Sequence, residues 1–261
     1  MPDRPLAASA CLAVVPVEVD DRSAPLGCAA LRELRGRPLL AWSVAALAGS
    51  GQVTDVVVAA PPALEEALAR ALQPSGVAVH VVPVKANGPG HRVLAALRSP
   101  AGRPRGAAAD EAGQLVVVHD PLHPLSSAAL VRDVVRRLAT HPRAAASAPA
   151  RAVTDTLKWV DEDEVVLDTA DREGYRMIYS PQAYRRGALT AALEGAADEL
   201  LRAHGAEVLP GLVQASGGEV TLVPSPGQAF RVATPDDLVL AEALLHVELN
   251  GDVHAGGPST R

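Results

Sequence analysis

Three short polar stretches of this 261-residue chain hold the residue types that could bind charged groups or move them. One is Val17-Glu18-Val19-Asp20-Asp21-Arg22, directly after the apolar run Leu12 to Pro16. A loop that cradles phosphate brings closely spaced glycines, whose backbone amides approach the anion, and usually a lysine. Here three carboxylates stand instead, the next glycine is Gly27, and Arg22 is the cation at hand. The sign of the charge favours a solvated acidic loop unless a metal ion intervenes. Another is His119-Asp120-Pro121-Leu122-His123-Pro124, which follows four consecutive aliphatic residues. A carboxylate at a strand end can hold a divalent metal or a ligand hydroxyl, and an imidazole nearby can meet a phosphate when charged. The same residues equally suit a stiff turn that Asp120 caps and the prolines fix. The last is Phe230-Arg231-Val232-Ala233-Thr234-Pro235-Asp236-Asp237. Thr234 reads as an N-cap, Pro235 as the first helical residue, and the two aspartates suit the helix dipole. That account leaves only Arg231 unexplained, and an exposed arginine is most often simply solvated.

Elements that could position these stretches follow in alternation. Apolar runs at Leu12 to Pro16, Val53 to Ala59, Ala78 to Val82, Leu115 to His119 and Ala144 to Pro149 read as strands. Helical spacing covers Pro38 to Leu47, Ala63 to Leu72, Gly90 to Leu97 and Ser127 to Leu138 between them. Strands that are apolar throughout, separated by helices, predict a parallel sheet covered on both faces. In such a sheet ligands bind beyond the carboxyl ends of the strands, where the first two polar stretches fall. Further on, helices are expected at Pro181 to Ala192, Ala196 to His204 and Pro235 to Leu249, and strands at Val220 to Val223 and Phe230 to Val232. Ser99 to Gly113, rich in Ala, Gly, Pro and Arg, reads as a mobile surface loop, and residues 250–261 as a disordered tail after a single domain spanning 1–249.

Hydrophobic residues make up 48% of the chain but aromatics only 2%, so the core must be built from Ala, Val and Leu. A net charge of −6 argues against nucleic acid or an anionic membrane as the main partner. Cys11 and Cys28 form neither a disulfide framework nor a metal spacing, which fits a reducing compartment. With no signal-peptide core and no run long enough to span a bilayer, a cytoplasmic protein is expected. Between residues 153 and 180 the pattern changes. Two short strands, Thr156 to Val160 and Glu164 to Asp168, flank an acidic turn and lead to a third that ends in Ser-Pro-Gln. A hairpin of that size does not hold together alone in water, so it needs a partner.

Several motifs, taken in order, resemble the 2-C-methyl-D-erythritol 4-phosphate cytidylyltransferase family of the non-mevalonate route to isoprenoids. They are A-V-V-P, G-R-P-L-L-A-W-S-V, V-V-V-H-D-P-L-H-P-L, V-T-D-T-L-K, T-A-D-R, S-P-Q-A-Y and R-V-A-T-P-D-D-L-V-L-A-E. The resemblance implies a Rossmann-like α/β nucleotidyltransferase fold with a mostly parallel sheet and a β-hairpin arm, 153–180, that crosses to a second subunit of a homodimer. It also implies CTP and a sugar-alcohol phosphate as ligands, with Mg²⁺. By position, Asp120, Thr156, Arg172, Ser180 and Arg231 match residues around the sugar phosphate, and Asp120 is the candidate metal ligand. His123 stands where the family motif has arginine, which makes the charge there depend on pH.

The nucleotide side departs further from the family. Where the family reads A-A-G-x-G-x-R-M and continues to P-K, this chain has Val17 to Ala30, with Arg22 as the one cation. Its lysines are Lys85 and Lys158 alone, neither of them in that loop. A second signature has become Lys85-Ala86-Asn87-Gly88-Pro89-Gly90-His91-Arg92, and a third Ala197-Asp198-Glu199. Val17, Arg22, Gly88 and Arg92 are therefore the candidate nucleotide contacts, with Arg22 and Asp120 the candidate catalytic pair. Three readings stand at this level: a divergent cytidylyltransferase, a non-catalytic paralogue that binds or regulates, and a transferase for another nucleotide or sugar phosphate.

Overall fold

The computed structural model describes residues 11–19, 25–72, 76–103, 114–203 and 205–254. Arg22 and most of the Ala/Pro-rich stretch, residues 104–113, lie outside the described residues. The elements run β1 (Cys11–Pro16), β2 (Glu33–Leu34), β3 (Arg37–Pro38), α1 (Leu39–Gly49), β4 (Val53–Ala60), α2 (Glu65–Ala71), β5 (Ala78–Pro83) and α3 (Pro89–Arg98). Then come β6 (Leu115–Val118), α4 (Ala128–Thr140), β7 (Ala144–Ala152), β8 (Leu157–Val160), β9 (Val166–Ala170), β10 (Arg176–Ile178) and β11 (Gln182–Arg185). The chain ends with α5 (Arg186–Gly195), α6 (Asp198–Arg202), α7 (Leu209–Ala215), β12 (Glu219–Pro224) and α8 (Pro235–His254).

Strands β5, β4, β1 and β6 lie side by side and parallel. Every residue of β1 is buried, and its side chains divide between two cores. Cys11, Ala13 and Val15 meet Leu40, Val44 and Leu47 of α1 and Val131, Val135 and Leu138 of α4. Leu12 and Val14 meet Val93 and Leu97 of α3 and Leu189 and Leu193 of α5. This is the physical reason that the strand is apolar without alternation, since both of its faces are covered. Each fully buried Val or Leu stabilises the fold by about 1.5–3 kcal/mol. A third cluster, Leu34, Leu39, Leu122, Val232, Ala241 and Leu245, fixes α8 beside the carboxyl end of β6.

The sheet is mixed rather than wholly parallel, and its antiparallel ladders all involve β10 or β11. Gln182 to Arg185, expected within a helix, is a strand held between β6 and β7, and the helix starts only at Arg186. Two strand edges offered at once satisfy its backbone, and they bury Tyr184 completely. Pro181 suits the first turn of a helix, but this tertiary pairing overrides it. Phe230 to Val232, expected as a strand, forms no ladder; the Val232 N–H instead donates to the Leu122 carbonyl at 2.7 Å. The helix expected at Ala196 to His204 is confined to α6, and α7 follows where none was expected. α8 runs on to His254, past Leu249 and into the segment expected to be disordered.

β8 and β9 pair with each other and with no other strand among the described residues. The Asp161 carboxylate tightens their turn by accepting from the backbone N–H groups of Asp163 (3.0 Å) and Val165 (2.9 Å). Trp159 is 68% exposed and Leu167 59%, values at odds with residues of these types unless another surface covers them. No helix among the described residues is long and apolar enough to cross a membrane.

Candidate active site

β1 and β6 separate at their carboxyl ends. The His119 N–H still reaches the Val14 carbonyl (3.0 Å) and the Val17 N–H the Ala59 carbonyl (2.9 Å). Beyond those bonds the chains diverge around a small cleft, lined among others by Glu18, Ala29, Pro89, Asp120, Ala206 and Arg231. Asp120 caps the turn, as its sequence allowed, and also pairs with an arginine. Its Oδ1 accepts the Leu122 N–H at 2.8 Å and so caps the turn, while its Oδ2 accepts from Arg231 Nε at 3.1 Å. Arg231 owes its position to two neighbours. The Val232–Leu122 backbone bond anchors one side, and the start of α8 anchors the other, where Asp237 accepts the Thr234 N–H and hydroxyl, each at 2.8 Å. With the Asp120 side chain 8% exposed and Arg231 32%, the pair sits at the wall of the cleft with the guanidinium facing outward.

Ser180 lies behind Asp120 and is fully buried. Its hydroxyl accepts the Asp120 N–H at 2.8 Å and is 2.8 Å from His119 Nδ1, while its carbonyl accepts from the Ser126 hydroxyl. Expected beside a sugar phosphate, Ser180 instead pins the backbone that presents Asp120. Burial, reinforced by His123 and opposed by Asp120, pushes the His119 pKa down to about 3. Burial likewise pushes His123 down to about 4, with Asp120 opposing and Arg231 assisting. His123 is therefore neutral at physiological pH, and the pH-dependent charge expected of it does not arise there.

His123 stands between two carboxylates, its Nδ1 at 3.8 Å from Asp120 Oδ2 and its Nε2 at 3.5 Å from Glu207 Oε1. Burial, then the charge of Asp120, raises the Glu207 pKa to about 7. Sequence reasoning missed Glu207. The signal lay two residues earlier: Gly205 has φ +82°, and a Cβ there would come within 2.2 Å of Glu207 Oε2. A glycine thus makes room for the carboxylate to fold inward. At the opposite lip, buried Arg92 places Nη1 3.3 Å from Oε1 of Glu18, a carboxylate that lines the cleft.

Other expected site residues lie elsewhere. Val17 is buried, with its N–H engaged by Ala59. Gly88, at φ +92°, serves a close approach to α6, since a Cβ would come within 2.4 Å of the Leu201 carbonyl oxygen and 2.5 Å of Arg202 Cα. Thr156 and Arg172 are exposed on the arm, and the Arg172 guanidinium donates to the Thr154 carbonyl. Asp120 and Arg231 thus line the cleft, His123 and Ser180 are buried beside Asp120 without lining it, and Thr156 and Arg172 stand on the arm.

A model of the 2-C-methyl-D-erythritol 4-phosphate cytidylyltransferase family matches residues 21–247. The chain belongs to that family. Among curated relatives, the cytidylyltransferase of Frankia casuarinae is 40% identical over 83% of this chain and 73% of its own. That of Saccharopolyspora erythraea is 36% identical over 83% of this chain and 90% of its own. The crystal structure of 2-C-methyl-D-erythritol 4-phosphate cytidylyltransferase from Thermus thermophilus superposes with a TM-score of 0.65 at 30% identity, covering 91% of this chain and all of that one. Membership accounts for the mixed sheet with its parallel centre and for a cleft at the ends of β1 and β6. This member of the cytidylyltransferase family carries His123 and Glu207 beside Asp120, and Glu18 beside Arg92.

Proposed function

We propose that the protein is a cytidylyltransferase that joins CTP to 2-C-methyl-D-erythritol 4-phosphate. A phosphate oxygen of the sugar-alcohol phosphate attacks the α-phosphorus of CTP, the bond to the β-phosphate oxygen breaks, and pyrophosphate leaves. Such transfer depends on positioning and charge stabilisation more than on covalent help from the protein. The observation that carries the reading is the Asp120–Arg231 pair at the cleft wall. Asp120 fixes Arg231 at 3.1 Å, and the partly exposed guanidinium is then oriented to meet an incoming phosphate by charge-assisted bonds.

Mg²⁺ suits this site through one group. Mg²⁺ is held by one or two carboxylates together with substrate phosphates, and Asp120 keeps lone pairs beyond those used by Leu122 and Arg231. Asp120 would hold the ion, which when bound neutralises charge on the phosphates. Arg92, freed from Glu18 by a competing phosphate, supplies a second cation at the opposite lip. The exposed arm supports a homodimer in which Thr156 and Arg172 enter the cleft of the other subunit, giving both halves of the site their phosphate contacts.

Release of pyrophosphate from CTP, Mg²⁺ and 2-C-methyl-D-erythritol 4-phosphate tests the reading. Turnover with CTP above that with ATP, GTP or UTP is expected. No pyrophosphate from any of the four would overturn it.

A further inference from the structure

His123 is 1% exposed, and its Nδ1 has no hydrogen-bond partner. Buried polar atoms are nearly always satisfied, so an open nitrogen aimed at a carboxylate 3.8 Å away asks what it faces. Glu207 Oε1, also buried and without a hydrogen bond, lies on the other side of the same ring. One ligand atom each from Asp120, His123 and Glu207 falls within 4.8 Å of the other two.

We propose that Asp120, His123 and Glu207 form a protein-only binding site for a divalent transition-metal ion of the Mn²⁺, Co²⁺ or Zn²⁺ kind, occupied without nucleotide. The donor set decides the class of ion. Mg²⁺ takes oxygen ligands and keeps its waters, whereas an imidazole beside two carboxylates suits first-row transition metals. Ligands about 2.1 Å from a common ion stand about 3–4 Å from one another, and only one ring nitrogen can meet that ion, so binding requires the carboxylate that now faces the other nitrogen to swing to the same side. Two carboxylates face the ring against one guanidinium, and a divalent ion that holds both in their ionised form offsets the excess. Neither carboxylate is saturated: Asp120 accepts one bond at each oxygen, and a carboxylate offers about four lone-pair sites.

This site does not depend on the cytidylyltransferase reading, and its test contains no nucleotide or substrate. Metal-free full-length protein is titrated with Co²⁺, followed by its visible ligand-field absorption, and with Zn²⁺ by calorimetry. One ion per chain is expected, with Mg²⁺ at the same concentration failing to displace it. His123→Gln and Glu207→Gln should each weaken binding by at least the roughly 10–100-fold that loss of even an outer-shell partner costs. His91→Gln, a change to the surface pair with Asp198, should leave it unchanged. Glu207 is the more accessible of the two ligands tested, so Glu207→Gln decides the matter if His123→Gln misfolds by circular dichroism. Absence of stoichiometric binding, or binding that survives Glu207→Gln at full affinity, would overturn the proposal.

Discussion

The cleft and the hairpin arm of this chain are built on opposite terms. His119, Asp120, His123 and Ser180 are each no more than 5% exposed and hold one another in place, whereas Trp159, Val165, Val166, Leu167 and Tyr175 on the arm are 52–68% exposed. In the cleft, one chain determines where each polar atom lies. On the arm, one chain determines only that two strands pair, and the apolar side chains await a surface. The polar residues of the cleft are therefore held within a single protomer, while the proposed contribution of Thr156 and Arg172 depends on association.

The strongest way to break this contrast is to replace residues 156–172 by a short Gly-Ser link. The proposed dimer should become a monomer in size-exclusion chromatography, with turnover falling by at least about 10³-fold, since a single charge-stabilising donor is worth about 10²–10³. An unchanged dimer would remove the arm from the assembly. Next in size, Arg231→Met should lower kcat/KM by about 10²–10³-fold while the arm-mediated dimer persists; turnover at the original rate would show that the cleft wall does not contact phosphate.

Smaller effects probe the cleft alone. Ser180→Ala strands the buried Asp120 N–H and should cost about 1–3 kcal/mol, seen as a drop of about 2–10 °C in melting temperature. A melting curve identical to that of the parent would mean that the pin is dispensable. The least of the four is a slope. Folded-state pKa values of about 3 and 4 for His119 and His123 lie below the unfolded value of 6.5, so their contribution is full above pH 6.5 and lost as pH falls towards 4. Glu207, raised from 4.5 to about 7, works the other way: its contribution is full below pH 4.5 and lost as pH rises through 7. Between pH 4.5 and 6.5, these three groups leave a net uptake of about one proton on unfolding, so stability rises with pH across that range. With EDTA present, urea titrations of Glu207→Gln should show a steeper slope and those of His123→Gln a flatter one. Equal slopes in all three proteins would contradict the assigned burial of charge.

Much of the cleft was legible. Asp120 and Arg231 stood out by position, one just past an apolar strand and the other just before a capped helix, although locally they read as well as a turn cap and a solvated arginine, and the parallel centre followed from runs of Val and Ala without alternation. β11 was hidden because Ser-Pro-Gln reads locally as a helix start, while the two strand edges that capture Gln182 to Arg185 come from residues more than thirty positions away in the chain. Ser180 was read as a ligand contact from its matching position in the family, and its burial and its bond to the Asp120 N–H are visible only in the fold. Glu207 left almost no local trace, as an acidic residue between two short helices is usually solvated. His123 was legible as a departure from the family motif, yet its charge state was not, because that depends on being enclosed.

Gly205 sets where the Glu207 carboxylate can lie. A β-carbon at that position would occupy the space that the carboxylate uses, and at φ +82° any side chain also strains the backbone. Glu207→Gln would keep the shape and delete the charge, whereas Gly205→Ala would disturb the shape at a cost in backbone strain. The place of one ionisable group in this protein thus depends on a backbone conformation two residues away.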